Sequence, residues 1–393
     1  MLFIGPLFRR EQAAEIDRNT KRRHSNASNG FQWNIIDGLC ANLGHGISVI
    51  NALPVGVWPR HYRKPVLPDA AWQLDGAPCR EIGCVNLPLL KQFGRYRRLA
   101  KHLKGIQNEE ILLCTAYMPF LWALSGLDRS NRLTLIVTDL PEYADMHRVS
   151  AARRLLRRWN NRMIERFMKR VDRFVLLTEQ MKGPLGVGER PYIVMEGIYA
   201  LAPEPVGESD RKRAVLYSGR LNARYGVQEL LDAFSMLDDE ELSLWICGSG
   251  EMESAVQAAA AKDRRIRFLG FQKQETVWAL QRKASLLVNP RRGDEAFTKY
   301  SFPSKTMEYL ASATPVLMYK LDGVPDEYDQ YLNYVHGDGP AALAAAIREL
   351  LGPDAARWEQ KAERGRQFVL REKNAAVQAG RILALLREDG ERI

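Results

Sequence analysis

The chain has 393 residues, 57 Lys and Arg against 47 Asp and Glu, and 46% apolar residues, which exclude a disordered or fibrous protein and allow two domains with separate cores. No apolar run approaches the roughly eighteen residues of a membrane span, and LFIGPLF, followed at once by RREQ, is too short for a secretory leader. Cys40, Cys79, Cys84, Cys114 and Cys247 are odd in number and unpaired in spacing, which argues for a reducing, cytoplasmic setting and against a structural zinc.

In chain order, MLFIGPLF opens as a strand and EQAAEIDRNTKRRHSNASNG continues it as a polar segment ending at Gly30. Phe31, Ile35, Leu39 and Leu43 recur at helical spacing. Short apolar runs at 47–52, 82–86, 111–116, 133–138, 173–178 and 191–195 predict strands, with helical stretches between most of them. After LAPEPVGESDRK (201–212), a Pro- and Gly-containing linker, the alternation restarts with strands at 214–219, 242–248, 266–270, 285–289 and 314–319. From Pro340 the chain reads as helical with a break near Gly352 and Pro353. Alternating β and α with nearly all-apolar strands predicts an α/β protein of two doubly wound, Rossmann-like domains facing a cleft. The domains are placed at 1–200 and 213–370, with a closing helix at 371–393 expected to pack back on the first.

Charge divides the same way. Residues 1–200 hold 30 Lys and Arg against 18 Asp and Glu, and the remainder holds 27 against 29. Residues 147–174 alone carry ten Lys and Arg against Glu165 and Asp172, with Leu156, Trp159, Met163, Phe167 and Val171 on one face; residues 90–105 are similar. Each helix has a core-facing reading, but the density of arginine favours contact with an anionic membrane surface. Nucleic acid is not expected, because the aromatics follow the apolar stripe and form no stacking platform.

Four segments of the second half follow strand ends. YSGRLNARYG places Gly219 where a backbone approaches closely and Arg220 where a planar fork meets phosphate oxygens. CGSGE is a small-residue turn into a helix, and LGFQ offers Phe271 and Gln272 to a flat base. NPRRGDEAFTKYSFPSKTMEYLASATPVLMY reads as strand end, loop, helix and strand; Pro303 suits a first helical turn, with Ser304 and Lys305 at its positive end and Glu308 one turn on. Taken together these predict a diphosphate and nucleoside site.

GRL, the Gly turn after LWIC, FLGF and the NP…FPSKTMEYLA…TPV block resemble, in this order, the donor half of a retaining glycosyltransferase of family 4, with the GT-B fold. SNASNGFQWNIIDGL (25–39), VTDLPEY (137–143), FVLLTEQM (174–181) and YIVMEGI (192–198) resemble the first half of members that build bacterial capsule or exopolysaccharide. The resemblance implies a nucleotide-sugar donor, no cofactor and no metal, and a lipid-linked or oligosaccharide acceptor at the inner face of the membrane. It gives Arg220 and Gly219 to the donor diphosphate, the Ser304 and Lys305 backbone to its distal phosphate, Glu308 to the ribose hydroxyls, and Phe271 and Gln272 to the base. The sequence departs from the family twice. Tyr300 stands where a glutamate precedes Glu308 by eight residues, leaving Glu295, Thr298, Lys299 or Tyr300 itself for the donor sugar. Tyr225 stands where a lysine follows the GRL arginine by five, leaving Lys305 or Arg224 to supply the charge. In the first half Asp139 is the residue expected nearest the reacting sugar, and Asn29 and Gln32 are candidates for acceptor contact. The alternatives weighed are a nucleotide-sugar epimerase of the same architecture and a non-catalytic sugar-nucleotide binder.

Overall fold

The computed structural model describes residues 1–21, 27–140, 151–200, 211–295 and 297–387; the side chains of 151–158 also lie outside the description. The chain divides into two units, one of Met1–Ile198 with the segment from Ala375 on, the other Tyr199–Asn374. Each is an α/β unit around its own sheet. Of the predicted linker, 201–210 fall outside the described residues.

The first unit contains β1 (Leu2–Gly5), β2 (Ser48–Asn51), β3 (Val66–Leu67), β4 (Ala70–Leu74), β5 (Ala77–Glu81), β6 (Cys84–Val85), β7 (Glu110–Cys114), β8 (Arg132–Val137), β9 (Arg173–Leu176) and β10 (Tyr192–Val194). Its helices are α1 (Ala13–Asn19), α2 (Ala27–Leu43), α3 (Leu90–His102), α4 (Met118–Ser125) and α5 (Ala151–Met168), and α12 (Ala375–Arg387) returns to it. The sheet order is β10-β9-β8-β7-β1-β2-β5-β4, and the chain order reverses about β1. Short runs of Val, Ile and Leu make these strands because parallel strands are covered on both faces. Phe3, Val49, Leu112, Ile136 and Val175 meet Trp33, Ile36 and Leu39 of α2 and Ile382 and Leu383 of α12 in one core.

Three expectations are corrected here. The segment before Gly30 is not a polar extension: α1 and the start of α2 lie in it, and Gly30 sits inside α2. The 82–86 strand shrinks to β6, which leaves the main sheet and pairs antiparallel with β3. The sheet also ends in an antiparallel hairpin, β4–β5, that the apolar pattern hides because its strands are half exposed.

The second unit contains β11 (Lys212–Ser218), β12 (Ser243–Cys247), β13 (Ile266–Gly270), β14 (Ala284–Asn289), β15 (Val316–Met318) and β16 (Asn333–Tyr334). Its helices are α6 (Val227–Ser235), α7 (Glu253–Lys262), α8 (Gln274–Lys283), α9 (Lys305–Ala311), α10 (Gly339–Leu350) and α11 (Ala355–Glu372). The order β13-β12-β11-β14-β15-β16 is parallel throughout. Strand order switches between β11 and β14, so the connections leaving their carboxyl ends diverge and open a crevice.

Candidate donor site

The crevice is built by the segments that leave β11, β12 and β13, together with α8 and α9. Gly219, Arg220, Gly248, Ser249, Phe271, Gln272, Gln274, Val277, Ser304, Lys305 and Glu308 line a cavity of about 320 Å³, with Ser218 and Cys247 at its floor. Seven predicted donor residues, Gly219, Arg220, Phe271, Gln272, Ser304, Lys305 and Glu308, therefore come together. Phe271 keeps 62% of its surface exposed, as a platform at the rim.

Two glycines allow the backbones to pack this closely. A Cβ on Gly248 would lie 1.7 Å from the Gly219 carbonyl oxygen, so the turns after β11 and β12 meet only without a side chain there. Gly219 N–H donates to the Cys247 carbonyl at 2.8 Å, and Leu221 N–H to that of Ser249 at 3.0 Å, which locks the turns together. A Cβ on Gly219 would sit 1.3 Å from Lys305 Nζ: the glycine vacates the volume that the ammonium fills.

Lys305 Nζ lies 4.6 Å from the centroid of the Tyr217 ring. Burial, opposed by the Glu308 carboxylate and reinforced by the Arg291 charge, lowers its pKa to about 8. The ammonium thus has an aromatic face and one carboxylate nearby, and an incoming anion is what would restore its charge fully. Glu308 is shifted upward by burial, against the Gln274 amide, whose Nε2 donates to Oε2 at 3.2 Å, and against Lys305. Arg220 is exposed, its carbonyl fixed by the Tyr217 hydroxyl at 2.8 Å. Among the described residues its guanidinium makes no ion pair.

α9 starts two residues later than expected. Pro303 and Ser304 precede it, and Thr306 N–H closes a turn on the Pro303 carbonyl at 2.8 Å. With seven residues its dipole is small, so the side-chain cations carry more of the site's positive character than the sequence suggests. Behind α9, the Ser218 N–H donates to the buried Tyr309 hydroxyl at 3.0 Å. Tyr309→Phe would leave that N–H buried without a partner and is expected to cost about 1–3 kcal/mol, read as a lowered urea midpoint at unchanged slope.

The loop 291–300 departs from expectation. Arg224 is ion-paired with Glu295 at 3.4 Å, and neither residue lines the cavity. Thr298 is buried, its hydroxyl 2.7 Å from the Glu295 carbonyl and 3.1 Å from that of Gly293, so it holds the loop. Lys299 packs 5.0 Å from the Tyr300 ring, and neither lines the cavity. The residue missed is Arg291. It is buried, donates to Ser301 Oγ at 2.6 Å, and lies 4.9 Å from the Phe297 ring and 5.7 Å from that of Tyr225. A cation thus sits over the tyrosine found at the family's lysine position. Only the fold brings Arg291 and Tyr225 together; nothing local in NPRRG marks the first arginine from the second.

In the first unit, Asp139 follows β8 and is exposed, with the Thr138 hydroxyl 3.5 Å from Oδ2. Partial desolvation by its surroundings, opposed by the Thr138 hydroxyl, raises its pKa. The rest of VTDLPEY, 141–143, lies outside the described residues. Asn29 and Gln32, the candidates for acceptor contact, hold the loop after β1. Asn29 Oδ1 accepts from Phe8 N–H at 2.9 Å, and fully buried Gln32 donates to the Pro6 carbonyl at 3.0 Å.

Comparison with known proteins agrees with this arrangement. The family described as Glycosyl transferases group 1 matches residues 212–352, the span holding every cavity residue. Sucrose-phosphate synthase from Thermosynechococcus elongatus superposes with a TM-score of 0.65 at 16% identity, covering 99% of each chain. Alpha,alpha-trehalose 6-phosphate synthase from Burkholderia multivorans gives 0.65 at 14%, covering 99% of this chain and 98% of that one. Anabaena HepE in complex with UDP gives 0.65 at 13%, covering 98% of each. No curated protein matches the chain in sequence. Residues 212–352 thus match the family model of group 1 glycosyl transferases, in a chain whose two α/β units have the GT-B fold.

Proposed function

We propose that the chain transfers a sugar, with retained anomeric configuration, from a nucleoside diphosphate donor held in the β11–β14 crevice. The observation that carries this reading is the joint placement of Arg220, Lys305 and Glu308 around one cavity. Arg220 forks onto the diphosphate, and the Lys305 ammonium with the Ser304 and Lys305 backbone takes the distal phosphate. Glu308, steadied by Gln274, accepts the ribose hydroxyls, and the base lies against Phe271 and Gln272. As the glycosidic bond breaks, negative charge grows on the leaving diphosphate; fixed cations there stabilise the transition state more than the ground state. Those cations make the step metal-independent in this reading. HepE, seen with UDP, supports a nucleoside diphosphate as the bound half of the donor.

Further parts of the reading rest on sequence. The family 4 assignment, a lipid-linked glycan acceptor, a role in cell-surface polysaccharide synthesis and attachment to an anionic membrane face through the basic stretches 90–105 and 147–174 belong to it. Of the second stretch, 147–150 lie outside the described residues. Asp139 is the first-unit group assigned to the reacting sugar.

The test is direct. Incubation with a panel of nucleotide sugars is expected to release nucleotide slowly; epimerised sugar, or binding alone, would give the reaction to another class. Lys305→Ala is expected to weaken UDP binding at least tenfold, a loss of about 1.4 kcal/mol, and Arg224→Ala, already paired to Glu295, to change it less than threefold. The sign of the pH effect follows from Lys305. Its folded pKa of about 8 is below that of a free lysine, and a bound diphosphate favours the charged form, so affinity falls as pH rises through about 8. The Lys305→Ala protein should lose that dependence. An unaltered affinity and pH profile in this variant would remove Lys305 from the site.

A further inference from the structure

Ten large apolar side chains stay exposed among the described residues, and six of them, Trp58, Val66, Val85, Leu89, Leu90 and Phe93, fall within one short span of the first unit. They share one place. Val66 and Val85 face each other across the β3–β6 pair. Trp58 N–H donates to the carbonyl of Asn86 at 2.9 Å, Asn86 N–H to that of Pro65 at 2.7 Å, and the buried Asn86 amide to those of Gly56 and Lys64. Three residues on, Leu89 precedes α3 with φ +64° and ψ −51°, a strained γ-turn closed by Leu90 N–H on the Pro88 carbonyl at 2.7 Å, and it points 71% of its surface at solvent. Leu90 is 54% and Phe93 49% exposed on the first turn of the same helix.

The support beneath this knob is rigid. Lys91 and Arg95, on the inner side of α3, are both buried and donate to the carbonyls of Val55 and Leu53, just past β2. The knob therefore stands at the carboxyl edge of the first sheet, where ligand-binding loops of such sheets lie. Its rim is cationic. Residues 53–104 hold ten Lys and Arg against three Asp and Glu; Arg60, Arg63 and Arg97 are exposed, and Arg97 lies 5.6 Å from the Phe93 ring.

We infer that this knob is a membrane wedge, inserting Trp58, Val66, Val85, Leu89, Leu90 and Phe93 below the headgroups of an anionic bilayer while the flanking arginines lie in the headgroup layer. An apolar tip ringed by cations fits that phase boundary. The same rim disfavours a second copy, since a two-fold contact would set like charges against each other. The inference deepens the membrane part of the proposed function and rests on it. It adds a contact that salt cannot abolish, and puts a lipid-borne acceptor at the sheet edge it must reach.

The test uses the full chain and sedimentation with phosphatidylcholine vesicles, with and without phosphatidylglycerol, at low and high salt. Wild type is expected to bind the phosphatidylglycerol vesicles and to keep part of that binding at high salt. Leu89→Ser with Leu90→Ser and Phe93→Ser is expected to lower partitioning on the order of tenfold or more and to abolish the salt-resistant part. The thermal shift with UDP should be the same in both proteins, which shows that the variant is folded. Arg60→Gln with Arg97→Gln should remove only salt-sensitive binding. Binding by the triple variant equal to wild type at high salt would overturn the wedge and leave the cationic contact standing. Absence of binding to either vesicle would overturn both. A change from dimer to monomer in the triple variant, seen by light scattering, would overturn the wedge by making the patch a protein interface. Failure of UDP to stabilise either protein, with vesicle binding as expected, would strike the donor site and not the wedge.

Discussion

Replacing Arg220 by alanine is expected to lower kcat/KM for sugar transfer by about a hundredfold to a thousandfold, the range for deleting one preorganised group that meets developing negative charge. The guanidinium lines the cavity from an exposed position, and the Tyr217 hydroxyl holds its backbone carbonyl at 2.8 Å. Since no buried partner is orphaned by the change, stability should move by no more than about 0.5 kcal/mol. If the arginine acts mainly on the departing diphosphate, kcat falls more than KM rises. Lysine at the same position should restore only part of the loss, because it lacks the planar fork. A variant with wild-type kcat/KM would show that the diphosphate lies elsewhere.

Alanine at Gly219 and alanine at Gly248 are expected to fail in different ways. At Gly219 the new methyl would collide with Lys305 Nζ, the free end of a flexible side chain, at 1.3 Å. The ammonium can swing out, leaving the backbone strain of an alanine at φ +156°, so the protein should fold with a modest loss of stability and lose UDP affinity about as far as Lys305→Ala does. At Gly248 the methyl would meet the Gly219 carbonyl oxygen at 1.7 Å, and backbone cannot swing aside. The turns after β11 and β12 would have to part, with loss of the Gly219 N–H bond to Cys247, so Gly248→Ala should lose far more stability than Gly219→Ala, as well as binding. Thermal unfolding with and without UDP separates the two cases. Equal melting temperatures for both apo variants would contradict the packing described.

What the sequence showed was the local chemistry. Apolar runs placed the parallel strands because burial on both faces leaves no alternation to misread, and GRL and FPSKTMEYLA lie where strands end. Patterns that depend on partners far along the chain were not legible. The β4–β5 hairpin has half-exposed strands, and its one local sign was Asp75–Gly76, whose positive φ values of 46° and 83° suit a tight two-residue turn. Asn29 and Gln32 looked like surface polar residues at a helix start, yet their amides serve the loop after β1. Arg291 and Tyr309 join the site across 66 and 91 residues, to Tyr225 and Ser218, and no spacing within their own segments shows it. The pairing of Arg224 with Glu295 was likewise not legible, since only the folded loop brings them within 3.4 Å.

The most direct measurement is a crystal structure of the protein soaked with UDP. The account predicts the diphosphate between the Arg220 guanidinium and the Lys305 ammonium, within hydrogen-bond reach of the Ser304 and Lys305 backbone, with the ribose on Glu308. A nucleotide bound outside the β11–β14 crevice, or a cavity that stays closed around Lys305 at saturating UDP, would contradict it.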